Sequence, residues 1–460
     1  MNNNILKLLF LSFQLWLLFI AIILFQFFET SYVQIELFQL TILTILYIIN
    51  FLLCNKFIRS NTSSAFFWFS IAFMVYHLVP LLFYNLIDLN IYSVDISLLF
   101  RPSLLSVIGF QSAFIGYYFY GSKTKKRINQ TIWSTNQMIT STIILTAIAL
   151  SFQKVYPILS FDRIETIFVM LISILLLSKR TRTSISNQRR LYLFITIIIF
   201  LLGLLYIVNA TTGRRDIIKF IIGFSIIWSI YYRKFKVKEI VVGGVAIFMI
   251  VLIIALYRTS YYYFDNGSWS FAFMRLGVIF NNYNSIIAVV AEASDFMPNH
   301  NNYEYITNNI PSKEPYLYGA SLMKIIYAFV PRSIWLDKPI GVQELIILYN
   351  KNLFTGGTSQ GTTFIGEIYW NLGVFGVIPI MYLLGKILKK IDININSHRY
   401  DHWTMIISII FMSWLIELFR GGVSTIIIIN TFQIIVPLLF IWIFNKLIFQ
   451  HKTITELGET

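Results

Sequence analysis

The sequence predicts an all-α, polytopic integral membrane protein of about 12 transmembrane helices, with one large periplasmic loop between helices 9 and 10. Three observations predict it. Of the 460 residues, 57% are hydrophobic and only 12% are charged, and the mean hydropathy is +0.71, which places the chain outside the soluble globular class. The apolar residues come in long runs separated by short polar breaks, and about 20 apolar residues suffice to cross a bilayer as a helix. Lys and Arg gather in every second break, the asymmetry that orients membrane helices.

Taken in order, spans are expected at 8–28, 35–54, 64–84, 103–120, 138–153, 164–178, 191–208, 217–232, 239–257, 362–385, 404–419 and 424–445. Strand-like alternation is absent, and only helices satisfy the backbone in lipid over such lengths. The first run follows a weakly basic start and reads as a first span or uncleaved signal anchor, since no small-residue cleavage site follows it. The breaks at Lys56/Arg59, Lys123–Arg127, Lys179–Arg190, Arg233–Lys238, Lys386–Arg399 and Lys446/Lys452 are basic. With twelve spans they all fall on one side, which puts both termini in the cytoplasm. The net charge of +15 is then a set of anchors facing anionic lipid, not a nucleic-acid footprint. The single cysteine, Cys54, excludes an intrachain disulfide framework, and no Cys/His metal cluster can be assembled. Neither a metal nor a cofactor is expected.

The rhythm breaks once, at a loop spanning 258–361, too long to be a mere link. Within it 268–280 and 319–331 are amphipathic and are expected to be helices on the outer leaflet. The stretch 298–316, rich in Pro, Asn, Tyr and acids, reads as ordered loop. No internal repeat is visible, so 1–460 is read as one domain.

The few cations on the outer side are the candidate site. In Thr211–Lys219 a threonine can cap a helix whose first turn carries Gly213, Arg214, Arg215 and Asp216. A helix start with two arginines suits a phosphate or pyrophosphate; the competing reading is interfacial snorkelling by Arg214, Arg215 and Lys219. In Pro331–Pro339, Arg332 and Lys338 supply charge and Trp335 an apolar or sugar-stacking face, against a surface Arg332–Asp337 pair. In 356–376 glycines and hydroxyls lead into a span with Glu367 about one turn inside, where an acid needs a partner; a structural Glu367–Arg pair is the alternative. Glu417 and Arg420 are three apart and either neutralise each other or leave Arg420 for a shared anion. Arg275 and Arg258 are weaker candidates, and His300 is either a base or solvated loop. Ser321 and Lys324 spell S-x-x-K, which without a supporting motif reads as coincidence. No Asp-x-Asp pair stands in an outer segment, and no Walker or dinucleotide motif is present, so chemistry there needs an already activated substrate.

These residues resemble the Wzy-type O-antigen polymerases, or oligosaccharide repeat unit polymerases. The shared features are Gly213-Arg214 opening a middle span, a large late loop, Pro-Arg-x-x-Trp-x-x-Lys-Pro at 331–339, and a Gly-Glu-x-Tyr-x-Asn-x-Gly helix at Gly366, Glu367, Tyr369, Asn371 and Gly373. The resemblance implies a glycosyltransferase of the bacterial inner membrane. It would join undecaprenyl-pyrophosphate-linked oligosaccharides at the periplasmic face, alongside a flippase and a chain-length regulator. Such a reaction needs cations for the departing pyrophosphate, which Arg214, Arg215, Arg332 and Arg420 on the outer surface can supply by converging, and a base for the attacking hydroxyl, for which Glu367 is the first choice, with Glu292, Asp295, Glu304 and His300 as rivals. Tyr303, Tyr305 and Trp335 would cradle sugars. Two other readings stay open. An O-antigen-ligase-like transferase shares the chemistry with another acceptor. A lipid-linked-sugar flippase should instead show two similar halves and short loops.

Overall fold

The computed structural model describes residues 3–30, 37–58, 60–86, 96–121, 136–144, 164–210, 214–260, 268–280, 296–327, 330, 334–336, 341–349, 361–397, 402–422 and 436–449. Among them every regular element is helical. Helices α1 (Asn3–Thr30) and α2 (Leu37–Ile58) precede α3 (Ala65–Phe73), which passes through a π-helical turn (Met74–Leu78) into α4 (Val79–Leu86). Then come α5 (Phe100–Tyr118), α6 (Ile164–Arg182), α7 (Ser186–Ala210), α8 (Arg214–Tyr231) and α9 (Val237–Ser260). The later chain forms α10 (Trp269–Phe280), α11 (Phe296–Asn309), α12 (Ala320–Tyr327), α13 (Val342–Tyr349), α14 (Phe364–Ser397), α15 (His402–Gly421) and α16 (Val436–Phe449). Among the described residues, six stretches are long and apolar enough to cross a membrane: Lys7–Gln26, Thr41–Ile58, Ala65–Leu82, Ser186–Leu205, Phe364–Asn396 and Thr404–Gly421. Exposed side chains such as Leu8, Trp16, Phe194, Leu202, Val241 and Val245 clothe the outside of α1, α7 and α9 in hydrocarbon, a surface suited to lipid and not to water.

The bundle is centred on α5 and α14, which run parallel at very close approach. A Cβ on Gly116 would strike the backbone of Tyr382, and one on Gly385 would strike the backbone of Ala113. Small residues at such a crossing let two backbones touch, which replaces the hydrophobic drive that lipid does not supply. Around this contact α3, α5 and α15 interleave rings: Phe69 on Phe110 at 6.0 Å, and Phe73 on Phe419 at 5.4 Å.

The basic breaks come together at one end. Asp392 of α14 accepts bonds from Ser64 Oγ (2.7 Å), Tyr117 Oη (2.6 Å) and the backbone N–H of Ala65, so one buried acid caps α3 and ties it to the end of α5. Phe235 N donates to Thr62 Oγ1 at 3.1 Å. Arg180 lies over Tyr232 at 4.6 Å, Lys179 donates to Asn136 Oδ1 at 2.6 Å, and Arg233 grips Glu239 with two bonds of 2.8 Å. One expectation is corrected here. The sequence places the exit of the tenth span at 385, but α14 continues as helix to Ser397, because Leu388, Ile391, Asp392 and Ile395 are buried.

At the opposite end lies α11. The stretch 298–316 was expected to be loop, and its first part is helix to Asn309. Its poor helix formers close their own backbone: Asn308 Nδ2 donates to Glu304 O and Asn309 Nδ2 to Tyr305 O, at 3.0 and 2.8 Å. Tyr303, Ile306 and Ile310 are buried and hold it in place. Nearby α14 is broken at Gly373 (φ 66°, ψ −169°), a conformation open to glycine. The carbonyl of Trp370, left by that break, accepts from Leu317 N at 2.9 Å, and Trp370 Nε1 donates to Pro315 O at 3.2 Å.

Candidate functional site

Three helix ends meet at the end opposite the basic breaks. The start of α14 is fixed by Thr363, whose Oγ1 accepts from Gly366 N at 3.1 Å while its carbonyl accepts from Glu367 N at 3.1 Å. That is an N-cap, and it sets Glu367 in the first turn, where the helix dipole favours negative charge. Glu367 is 1% exposed. Ser321 of α12 donates to Glu367 Oε1 at 2.8 Å, and Asn371 Nδ2 donates to Ser321 Oγ and to the Glu367 carbonyl, both at 2.7 Å. The carboxylate therefore has a fixed orientation.

The second end is that of α15. Gly422 turns out of the helix at φ 74°, the usual left-handed exit. It lies against the Glu367 carboxylate, where a Cβ would collide with Oε2. Gly361 is packed against the Arg420 carbonyl and Asn299 Oδ1, and its own carbonyl accepts from Asn302 Nδ2 at 2.9 Å. Two close backbone approaches thus weld α15, α14 and α11 together.

The third end is the start of α8, which packs along α15. Lys219 Nζ lies 3.4 Å from Glu417 Oε1, and Arg420 Nη1 lies 4.0 Å from the same oxygen. Lys219 also sits over the Trp414 ring at 4.4 Å. Arg214 and Arg215 open α8 and so stand at the same end as Arg420 and Glu367. Arg215 precedes Lys219 by four residues in that helix.

Several expectations change on this geometry. Lys219 does not snorkel: it is buried and bridges to Glu417, which also keeps the Arg420 contact that the spacing predicts. Ser321 of the S-x-x-K match bonds to Glu367, and Lys324 Nζ lies against Gly341. His300 is not solvated loop: it is fully buried, with its ring edge-on to Tyr303 at 5.9 Å. Burial pushes its pKa down to about 3. Tyr303 cannot cradle a sugar. It is fully buried, donates to the Pro102 carbonyl at 3.0 Å and meets Ser106 Oγ at 3.1 Å, and burial raises its pKa. Trp335 is 41% exposed. Arg275 is on α10, its guanidinium over Phe271 at 5.5 Å, and that helix packs on α9. Arg332 and Lys338 lie outside the described residues, as do Thr211, Thr212 and Gly213. Among the described residues no group of three or more His, Cys, Asp or Glu side chains is placed to hold a metal.

Sequence reasoning missed Ser321 and Asn371 as partners of Glu367. It also missed Arg101 at the start of α5, which the charge asymmetry marks as another cation on the outer side. No protein-family model, no curated protein and no solved structure matches this chain. The functional reading therefore rests on the chemistry of the site: a buried, oriented carboxylate beside two cation-bearing helix ends, suited to proton abstraction and to holding an anion.

Proposed function

We propose that the chain is a glycosyltransferase that polymerises undecaprenyl-pyrophosphate-linked oligosaccharide repeat units into surface polysaccharide, O-antigen or capsule. In this reading it is a twelve-span protein of the bacterial inner membrane with both termini cytoplasmic, and the end carrying Glu367 faces the periplasm. The observation that carries the proposal is the Lys219–Glu417–Arg420 charge chain. It joins the Arg214–Arg215 helix start to the Arg420 helix end beside buried Glu367, opposite the basic breaks.

The reaction follows from those parts. The acceptor sugar hydroxyl attacks the anomeric carbon of the donor, and its proton passes to the Glu367 carboxylate. The bond from that carbon to the pyrophosphate breaks, and the pyrophosphate leaves with the electron pair. Arginines suit the leaving group because they stay charged and bind phosphate oxygens in pairs. Arg214, Arg215 and Arg420 are assigned this role, and the resemblance adds Arg332, Lys338 and the Trp335 face from the loop. The lipid tails enter sideways between helices.

The test is purified protein in liposomes with a single lipid-linked repeat unit. The expected result is a ladder of longer lipid-linked glycans. Arg214→Ala and Arg332→Ala should each abolish the ladder while the protein still inserts. A full ladder from both variants overturns the charge assignment. Transfer only to a different lipid acceptor favours a ligase-type transferase, and movement of lipid-linked sugar without bond formation favours a flippase.

A further inference from the structure

Arg101 is the second residue of α5 and is only 9% exposed. Its guanidinium cannot shed its charge in a protein, so burial demands a counter-charge or a full set of acceptors. Neither is present among the described residues. Nη2 donates to Tyr369 Oη at a long 3.3 Å, the ring of Phe25 lies under the guanidinium at 4.9 Å, and buried Nε has no acceptor. Tyr369 is a neutral partner that spends its own proton on the Ile310 carbonyl, at 2.8 Å. Among the described residues no carboxylate lies within ion-pair distance of Arg101. The positive end of the α5 dipole adds to the same potential, and no side chain caps that helix.

The position is specific. Tyr369 and Glu367 are two apart on α14, so they stand on nearly opposite faces of the helix. Glu367 faces α12 and α15, whereas Tyr369 faces α1 and α5, its ring 5.6 Å from that of Phe25. One turn along from Tyr369, Leu372 is exposed, and Phe375 follows at 74% exposure. Exposed apolar side chains on both sides of the Gly373 break thus offer a surface for a lipid tail beyond Tyr369.

We propose that Arg101 is the core of a second anion site, separated from the Glu367 site by α14, that takes the diphosphate of a lipid-linked glycan. The inference rests on the polymerase reading. Two diphosphate-bearing lipids must be present at once in that reaction. The donor's diphosphate belongs with Arg214, Arg215 and Arg420, where it leaves. Arg101 then receives the acceptor's diphosphate, which does not react, and α14 with Glu367 stands between the two.

The experiment is native mass spectrometry of the full chain with undecaprenyl diphosphate, alongside the liposome elongation assay. Wild type should hold two lipids. Arg101→Met should hold one and lose at least tenfold in elongation at limiting acceptor, with the loss recovered at high acceptor. Arg420→Met should lose the other lipid, and Arg101→Lys, which keeps a cation, should retain two. Inorganic diphosphate displacing the Arg101-dependent lipid means that the headgroup alone is recognised. Displacement by phosphatidylglycerol at equal concentration would mean a bulk-lipid site and would overturn the acceptor assignment. Two lipids on Arg101→Met, with elongation unchanged, would overturn the inference while leaving the polymerase reading intact. Absence of elongation by wild type would instead remove that reading.

Discussion

The Glu367 carboxylate occupies the space that Gly422 leaves by having no side chain. Glu367 is in α14 and Gly422 follows the end of α15, and Gly422 also needs its positive φ of 74°. Gly422→Ala therefore adds left-handed strain of about 1 kcal/mol and displaces the acid from its bond to Ser321. Elongation in liposomes should fall at least tenfold while the protein remains monodisperse. Gly243→Ala, at a glycine with open space around it, should leave the rate unchanged.

Glu417 neutralises a buried lysine. Removing one partner of such a pair strands the other charge, at a cost of roughly 3–5 kcal/mol. Glu417→Gln should lower the melting temperature in detergent markedly. The double variant Lys219→Met/Glu417→Gln should recover much of the loss, because no stranded ammonium remains. A double variant no more stable than the single one would show that the bridge is not what holds α8 to α15.

The α5–α14 crossing should not tolerate side chains. Gly116→Val and Gly385→Val each force the two backbones apart, and overpacking of this kind costs about 1–3 kcal/mol or more. Both variants should show reduced thermal stability and reduced membrane yield, measured as folded protein by fluorescence size exclusion.

His300 gives the protein an acid limit. Its pKa is lowered to about 3 in the fold, against about 6.5 in an unfolded chain. Between those values the unfolded state binds the extra proton, so stability falls as pH drops from about 6.5 toward 3. At pH 5 the loss is on the order of 2 kcal/mol. His300→Phe should reduce this dependence in melts run from pH 7 to pH 5. An unchanged slope would place the acid sensitivity elsewhere.

The broad architecture was legible because its signals are local. A run of apolar residues reports its own helix, and Lys179, Arg180, Arg233 and Lys236 mark one end of the bundle without help from the rest of the chain. The same asymmetry singled out Arg214, Arg215 and Arg420, and an acid placed inside a span singled out Glu367. What stayed hidden depends on contacts distant in sequence. Nothing near Lys219 announces Glu417, and nothing near Glu367 announces Ser321. Asp392 lies among lysines in what reads as a polar exit, yet it is buried because α3 needs a cap there. Residues 296–309 are poor in helix formers, and the packing of Tyr303 and Ile306 holds them as a helix. His300 and Tyr303 looked like site residues because polar and aromatic groups in a loop read as exposed.

The Leu317–Trp370 hydrogen bond bears on the order of assembly. The uppermost turns of α14 end at Gly373 with a carbonyl that its own helix does not satisfy, and the N–H that satisfies it belongs to a segment translated earlier. Those turns can be completed only when the preceding loop has folded back onto them. Biogenesis of this end must therefore finish after α14 has left the ribosome, so that Glu367 comes into register late in maturation.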